Sequence, residues 1–181
     1  VEDSSAAFQR IDYAILYVLI IVLIVLSLRG RKIRKKIQPP KGQRVRLIAE
    51  ELLEPILELV IVGVLVWRDL SMDGWHLAAG LIALIPGAAL GRYRAQTYYV
   101  SALPEYKSVI VRYSKIGIII LIALIFVKLI SESLENVALP YWGTLVLTAL
   151  LVLFLAESFV RVGTMYKWYR RDVEAQQNAP E

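Results

Sequence analysis

The amino-acid sequence predicts an all-α integral membrane protein, a bundle of five transmembrane helices with its N-terminus outside and its C-terminus in the cytoplasm. Three observations carry that expectation. Hydrophobic residues make up 57% of the 181 residues and mean hydropathy is +0.57, beyond the composition of an ordinary soluble domain. Apolar runs of helical length recur along the chain. Of the 21 Lys and Arg, nine lie between Arg29 and Arg46, five between Arg92 and Lys115 and four between Arg161 and Arg171, in every second connection between those runs. Because Lys and Arg beside spans are retained on the cytoplasmic side, this alternation assigns a side to each connection.

A single membrane domain over residues 1–181 is expected, with spans at about 11–28, 52–67, 75–90, 116–130 and 139–160. The polar, acidic stretch Val1 to Gln9 lacks the positive start of a secretory signal. Arg29-Gly30-Arg31-Lys32 follows the first run in place of a small-residue cleavage site, so Ile11 to Leu28 reads as a retained anchor. The helix of the second span is expected to begin near Val45, since Glu50, Glu54 and Glu58 recur at helical spacing. Three of the five runs fall short of the roughly 20 apolar residues a helix needs to cross a bilayer. Trp67, Trp75, Tyr113, Tyr141, Trp142 and Trp168, with Arg68, Lys115 and Lys128, stand at their ends. Aromatic rings and long cationic stems reach headgroup level from such positions.

The outer connections, Arg68 to Gly74 and Ser131 to Ala138, are short enough for helical hairpins. The inner connection Arg31 to Gln43 contains Pro39-Pro40 and is expected to be irregular and extended. Thr97-Tyr98-Tyr99-Val100 and Val109-Ile110-Val111-Arg112-Tyr113 are rich in β-branched and aromatic residues and flank Leu103-Pro104-Glu105. They predict a short cytoplasmic β-hairpin at about 97–113, set against the rival that the neighbouring spans continue as helices. A lone hairpin is marginal in water, so this one would lean on headgroups or on a partner.

Ionisable residues within apolar runs are costly and mark candidate functional groups. Glu54 and Glu58 share one helical face beside Pro55, and Glu157 lies at a matching depth in the fifth run. As a functional site these carboxylates bind a cation or relay protons; as a structural one they pair with Arg44, Arg46, Arg94, Arg161 or Lys115. The abundance of nearby cations favours the structural reading. Ala79, Ala83, Gly87 and Gly91 recur every fourth residue and form a helix-packing stripe, within the chain or against a partner. Pro86 removes the hydrogen-bond partner of the Ile82 carbonyl and predicts a bend.

Residue types that are missing narrow the chemistry. There is no cysteine, hence no disulfide, thiolate metal site or iron–sulfur cluster. The single histidine, His76, cannot supply two axial ligands to a haem or build a His-rich metal site, and a histidine-dependent nucleophilic triad is not expected of it. Asp12, Asp69 and Asp73 flank spans with no clustered partner in the sequence. No cofactor, metal site or catalytic residue is therefore expected. The pI near 9.5 reflects cations beside apolar runs, which points to anionic lipid headgroups at the cytoplasmic face and away from nucleic acid.

The basic first inner loop, the segment Glu50-Glu51-Leu52-Leu53-Glu54-Pro55, and the run Pro86-Gly87-Ala88-Ala89-Leu90-Gly91-Arg92-Tyr93-Arg94 before a strand-like segment resemble the CcdC-like family of small bacterial membrane proteins. The resemblance covers Arg29 to Ile130. It implies a multi-pass protein of the bacterial plasma (inner) membrane with no thiol or haem-ligating role of its own, and no catalytic residue to carry over. The functional expectation is a non-catalytic accessory or assembly subunit of a larger membrane complex, associating with other subunits or with itself. The alternatives are a small oligomeric cation- or proton-linked transporter using the intramembrane glutamates, and a lipid-processing enzyme at the inner leaflet.

Overall fold

The computed structural model describes residues 21–178 apart from 23, 27, 32, 34, 35, 38, 113–115 and 134–139. The described residues between 21 and 37 are helical, so the first inner connection is shorter than the extended segment expected from Arg31. A turn over Pro40 to Gln43 ends it, closed by the Gln43 N–H donating to the Pro40 carbonyl at 3.0 Å. Gly42 takes φ +84° there. The third position of such a turn needs a positive φ, which glycine adopts without a Cβ clash.

From that turn the chain forms β1 (Gln43–Leu47), α1 (Ile48–Met72), α2 (Gly74–Tyr98), β2 (Tyr99–Leu103), a 3-10 turn (Pro104–Tyr106), β3 (Ser108–Arg112), α3 (Ile116–Ser133) and α4 (Tyr141–Gln177). The strands make one antiparallel sheet in the order β1-β3-β2. Val45 lies opposite Ile110 and Arg46 opposite Val109, and the β2–β3 register shifts between Tyr99 and Ser101. Directly opposed residues share a face, so Arg46 projects on the side of Val109. Val109 and Val111 bury themselves on that side against Val162 and Met165 of α4, with Tyr98, Tyr99 and Tyr169 around them. The Lys107 carbonyl, beyond the 3-10 turn, accepts from the Ile48 N–H at 3.1 Å, which ties the hairpin to the first residue of α1.

Two expectations change here. The second helix begins at Ile48, because residues 43–47 pair with β3 as a strand instead of extending the helix through Val45. The hairpin is not alone: a third strand and the far end of α4 supply the burial that a two-stranded ribbon lacks.

Helices α2 and α4 run side by side in the same direction, as shown by Gly80 near Val152, Gly87 on Leu153 and Ala156, and Gly91 on Glu157 and Val160. A Cβ at Gly87 would lie 2.5 Å from the Leu153 carbonyl oxygen, and one at Gly91 would overlap the Glu157 carbonyl oxygen. The small-residue stripe therefore works within the chain, with Ala83 in the core and Ala79 half-buried beside it. Helix α1 runs the opposite way, with Glu54 near Arg161 and Asp69 near Thr148. Val62 and Val66 of α1, Ala83 of α2, and Leu147, Leu151 and Val152 of α4 form the buried apolar layer between these ends. Pro55 and Pro86 both lie inside continuous helices.

The five-span bundle does not hold. Among the described residues two helices, α2 and α4, are long and apolar enough to cross a membrane. Helix α1 carries Glu50, Glu51, Glu54 and Glu58 in its first half and Arg68 and Asp69 near its end, which leaves only a short apolar run from Leu59 to Trp67. The apolar part of α3 is confined to Ile119–Ile130. The span expected at 11–28 falls largely outside the described residues. With the count of five goes the inside–outside assignment built on it, and the all-α class gives way to helices joined to a three-stranded sheet.

The seam is open to a direct test. Gly87→Ala and Gly91→Ala should each lower thermal stability in detergent, by roughly 1–3 kcal/mol as expected for overpacking. Gly63→Ala meets nothing within 4 Å and should be neutral or stabilising by up to about 1 kcal/mol. Equal effects at all three positions would contradict the close approach of α2 and α4.

Candidate functional site

Helices α1 and α4 carry a polar cluster at each end of the apolar layer. The larger one lies where β1, α1, α2 and α4 meet. Arg46, brought in by the strand register, places Nη1 2.7 Å from Glu51 Oε1 and 2.8 Å from Glu54 Oε2, with Nη2 3.6 Å from Glu50 Oε1. The Tyr98 hydroxyl donates to Glu51 Oε1 at 2.9 Å and accepts from Arg46 Nη1 at 3.2 Å. Burial works against the Arg46 charge, but Glu51, Tyr98, Glu54 and Glu50 more than offset it and hold the guanidinium above its ordinary value.

Arg161 closes the cluster from α4. Its Nε donates to Glu157 Oε1 at 3.2 Å, its Nη2 lies 3.5 Å from Glu54 Oε1 and its Nη1 3.6 Å from Glu51 Oε2. The same guanidinium lies over the Tyr98 ring, 5.1 Å from its centroid, in cation–π contact. Arg94 reaches Glu157 Oε1 from α2 at 3.1 Å. Glu51, Glu157 and Arg161 are all buried, so these charges are compensated by one another in place of water.

Of the three carboxylates singled out in the sequence, Glu54 and Glu157 thus meet on Arg161. Glu58, one turn beyond Glu54, is half-buried, and Ser158 of α4 accepts from Arg161 Nη2 at 3.4 Å. The ion-pair partners expected at Arg46, Arg94 and Arg161 are in place, Arg44 is exposed, and Lys115 lies outside the described residues. Glu51 and Tyr98 are participants that the sequence reading missed. In the fold, residues 51, 55, 62, 66 and 69 form one buried stripe at helical spacing, and Glu51 enters the cluster on it.

The second cluster joins the α1–α2 turn to the start of α4. Asp69 Oδ2 accepts from Lys128 Nζ and from Thr148 Oγ1, both at 2.5 Å, and all three side chains are buried. Asp73 caps α2, accepting from the His76 N–H at 2.8 Å, with His76 Nδ1 2.9 Å away and the Tyr141 hydroxyl at 3.0 Å. His76 Nε2 lies 3.3 Å from Thr144 Oγ1, and its ring meets Tyr141 edge-on at 5.3 Å. Asp69 and Asp73 are therefore clustered after all, with partners 59 to 79 positions away along the chain. The hydrogen bonds from His76 and from Tyr141 hold the Asp73 carboxyl down at about 2.

Chemically, both clusters are clamps. A carboxylate gripped by guanidinium groups, as in the first, or by the Lys128 ammonium, as in the second, is freed only by breaking charge-assisted hydrogen bonds. Among the described residues no group of three or more His, Asp or Glu is arranged to hold a metal ion. Val62, Val66 and Leu151, all buried, separate the two clusters. Comparison with protein-family models, with curated proteins and with solved structures returns no match.

Arg161→Ala should destabilise the fold by about 3–5 kcal/mol, the cost of leaving buried charge uncompensated. Arg161→Lys, which keeps the charge without the fork, should recover part of that loss in thermal unfolding. The Asp73 carboxyl sits lower in the folded chain than its ordinary 3.8. Its contribution is therefore complete above about pH 4 and lost as pH falls toward 2. The difference in melting temperature between wild type and Asp73→Asn should shrink across that window, and a pH-independent difference would contradict the capping geometry.

Proposed function

We propose that the chain is a non-catalytic membrane-embedded protein, an accessory or assembly subunit that presents its sheet end to a larger complex. The observation that carries this reading is a pair of aromatic belts on the exposed surface. Trp67, Trp75 and Trp142 project at one end, with exposures of 70–73%, and Tyr93 and Tyr166 project toward the other. Between them α2 turns Leu81, Ile82 and Ile85 outward. Only 28% and 39% of the apolar windows of α2 and α4 are buried in the fold, unlike the core helices of a soluble protein. From Trp75 to Tyr93 the helix rises about 27 Å, close to the roughly 30 Å of a bilayer core.

The subunit role draws support from the charge clusters. Glu54 is engaged in holding the sheet to α1 through Arg46, and Glu157 in joining α2 to α4 through Arg94 and Arg161, which weighs against a carboxylate path for ions. Helix α4, 37 residues long and so about 55 Å, runs past the apolar layer and carries the sheet with it. Exposed Lys107, Arg112, Lys167 and Arg170 lie at that end, where anionic headgroups or an acidic partner surface meet complementary charge.

Because the chain has no cysteine, single cysteines report position without background. In sealed membrane vesicles, Ile85→Cys should resist a charged maleimide until detergent is added, while Lys107→Cys should react from one side. Rapid labelling of Ile85→Cys in intact vesicles would overturn the embedded reading. Purification in mild detergent should yield the chain with co-eluting subunits, and recovery only as a monomer would contradict the subunit role.

A further inference from the structure

Charge at the sheet end is sorted by sign. The carboxylates turn inward: Glu50, Glu51 and Glu157 are buried, and Arg46, Arg94 and Arg161 match them at 2.7–3.6 Å. Asp172 accepts from the Tyr99 hydroxyl, which ties β2 to α4. The cations turn outward. Arg92 on α2, Lys107 and Arg112 on the hairpin, and Lys167, Arg170 and Arg171 on α4 are all exposed. Among the described residues of this end the exposed carboxylates are Glu105 and Glu174, and Glu174 lies 3.4 Å from Arg170. These cations share one depth. Gly91, beside Arg92, packs on Val160, and β3 packs on Val162 and Met165, so from Val160 to Arg171 the band measures about 16 Å along α4. Tyr93 and Tyr166 stand in it with exposed rings, side chains that mark a membrane–water interface. Three separate elements carry the cations, an arrangement that mobile headgroups can meet from several directions and a single rigid partner cannot.

We infer that the sheet end is a binding surface for anionic phospholipids, whose phosphates are drawn to the outward cations while the acids that would repel them are neutralised inside the fold. Lys and Arg within a Debye length of the headgroups, about 10 Å at 0.1 M salt, act on them together. Arg92, Arg112, Arg170 and Arg171 add the planar fork that grips phosphate oxygens in pairs. The inference deepens the membrane-embedded reading and rests on it for the depth at which headgroups meet the band.

The full chain in nanodiscs of equal parts phosphatidylcholine and phosphatidylglycerol tests it, with native mass spectrometry of the lipids that stay bound when the disc is stripped. Phosphatidylglycerol should be retained severalfold over phosphatidylcholine. The excess should fade as ammonium acetate is raised and disappear when Lys167→Gln, Arg170→Gln and Arg171→Gln are combined. Equal retention of the two lipids by the wild type, or an excess that the combined variant keeps, overturns the proposal. An acidic protein partner on this surface would show itself as a co-eluting subunit lost in the same variant with no lipid preference, and that result overturns it too. Resistance to alkaline carbonate in pure phosphatidylcholine vesicles scores insertion separately. A chain that resists extraction yet shows no lipid preference refutes this proposal alone. One that is extracted there but floats with phosphatidylglycerol vesicles contradicts the embedded reading and supports the surface. Should the combined variant fail to fold, Lys107→Gln with Arg112→Gln should lower the excess, and an excess untouched by both that pair and salt overturns the proposal.

Discussion

Two guanidinium groups, Arg46 and Arg161, grip the same pair of carboxylates, Glu51 and Glu54, and the remaining architecture is arranged around that contact. Arg46 arrives on a strand, so β1 must pair with β3 in the register that turns Arg46 toward the helices. Arg161 arrives on α4, so α4 must be rotated to put Glu157, Ser158 and Arg161 on the face toward α1. Helix α1 has no freedom to start elsewhere, because its first turns carry the carboxylates. Replacing a buried charge network of this kind by apolar residues is often neutral in stability, whereas removing one member is costly. Its physical role is to choose one arrangement of strand, helix and helix among the many that apolar packing alone would tolerate.

Apolar contact then fills what the charges have set. Gly87 and Gly91 bring the α2 backbone against the α4 backbone, an approach that lets dispersion act over a long seam. The same α1–α4 pair is pinned again at its far end by Asp69, Lys128 and Thr148. Helix α3 presents Ile119, Ile122 and Phe126 outward, and the Lys128 ion pair fixes its register against α1. Polar pins at both ends bracket the buried apolar layer between them.

Local signals made part of this legible in the sequence. Long apolar runs marked α2 and α4, and β-branched pairs marked β2 and β3. Strand β1 was hidden because Gln43-Arg44-Val45-Arg46-Leu47 reads as part of a basic stretch, with its pairing partner more than sixty residues away. Glu51 was hidden behind Glu50, which continues the face of Glu54 and Glu58 on a bare helical count; the fold instead turns 51, 55, 62 and 66 inward. The Asp73–His76 contact, three residues apart, is a local capping pattern that was within reach, whereas Asp69 with Lys128 carries no local signature at all. The excess in the count of spans has a physical origin too. Hydropathy registers how apolar a stretch is, and α1 shows that glutamates at one end of a helix and an ion pair at the other can leave too short an apolar run to cross.

The measurement that bears most directly on the central role of the Arg46 contact is amide hydrogen exchange in the wild-type chain and in Arg46→Met, resolved by segment. If the guanidinium–carboxylate grip is what holds the sheet in place, protection should fall across β1 and across Val109 to Val111 of β3, while the α2–α4 seam around Gly87 keeps its own. Unchanged protection in the sheet, or a uniform loss over sheet and seam alike, would contradict that account.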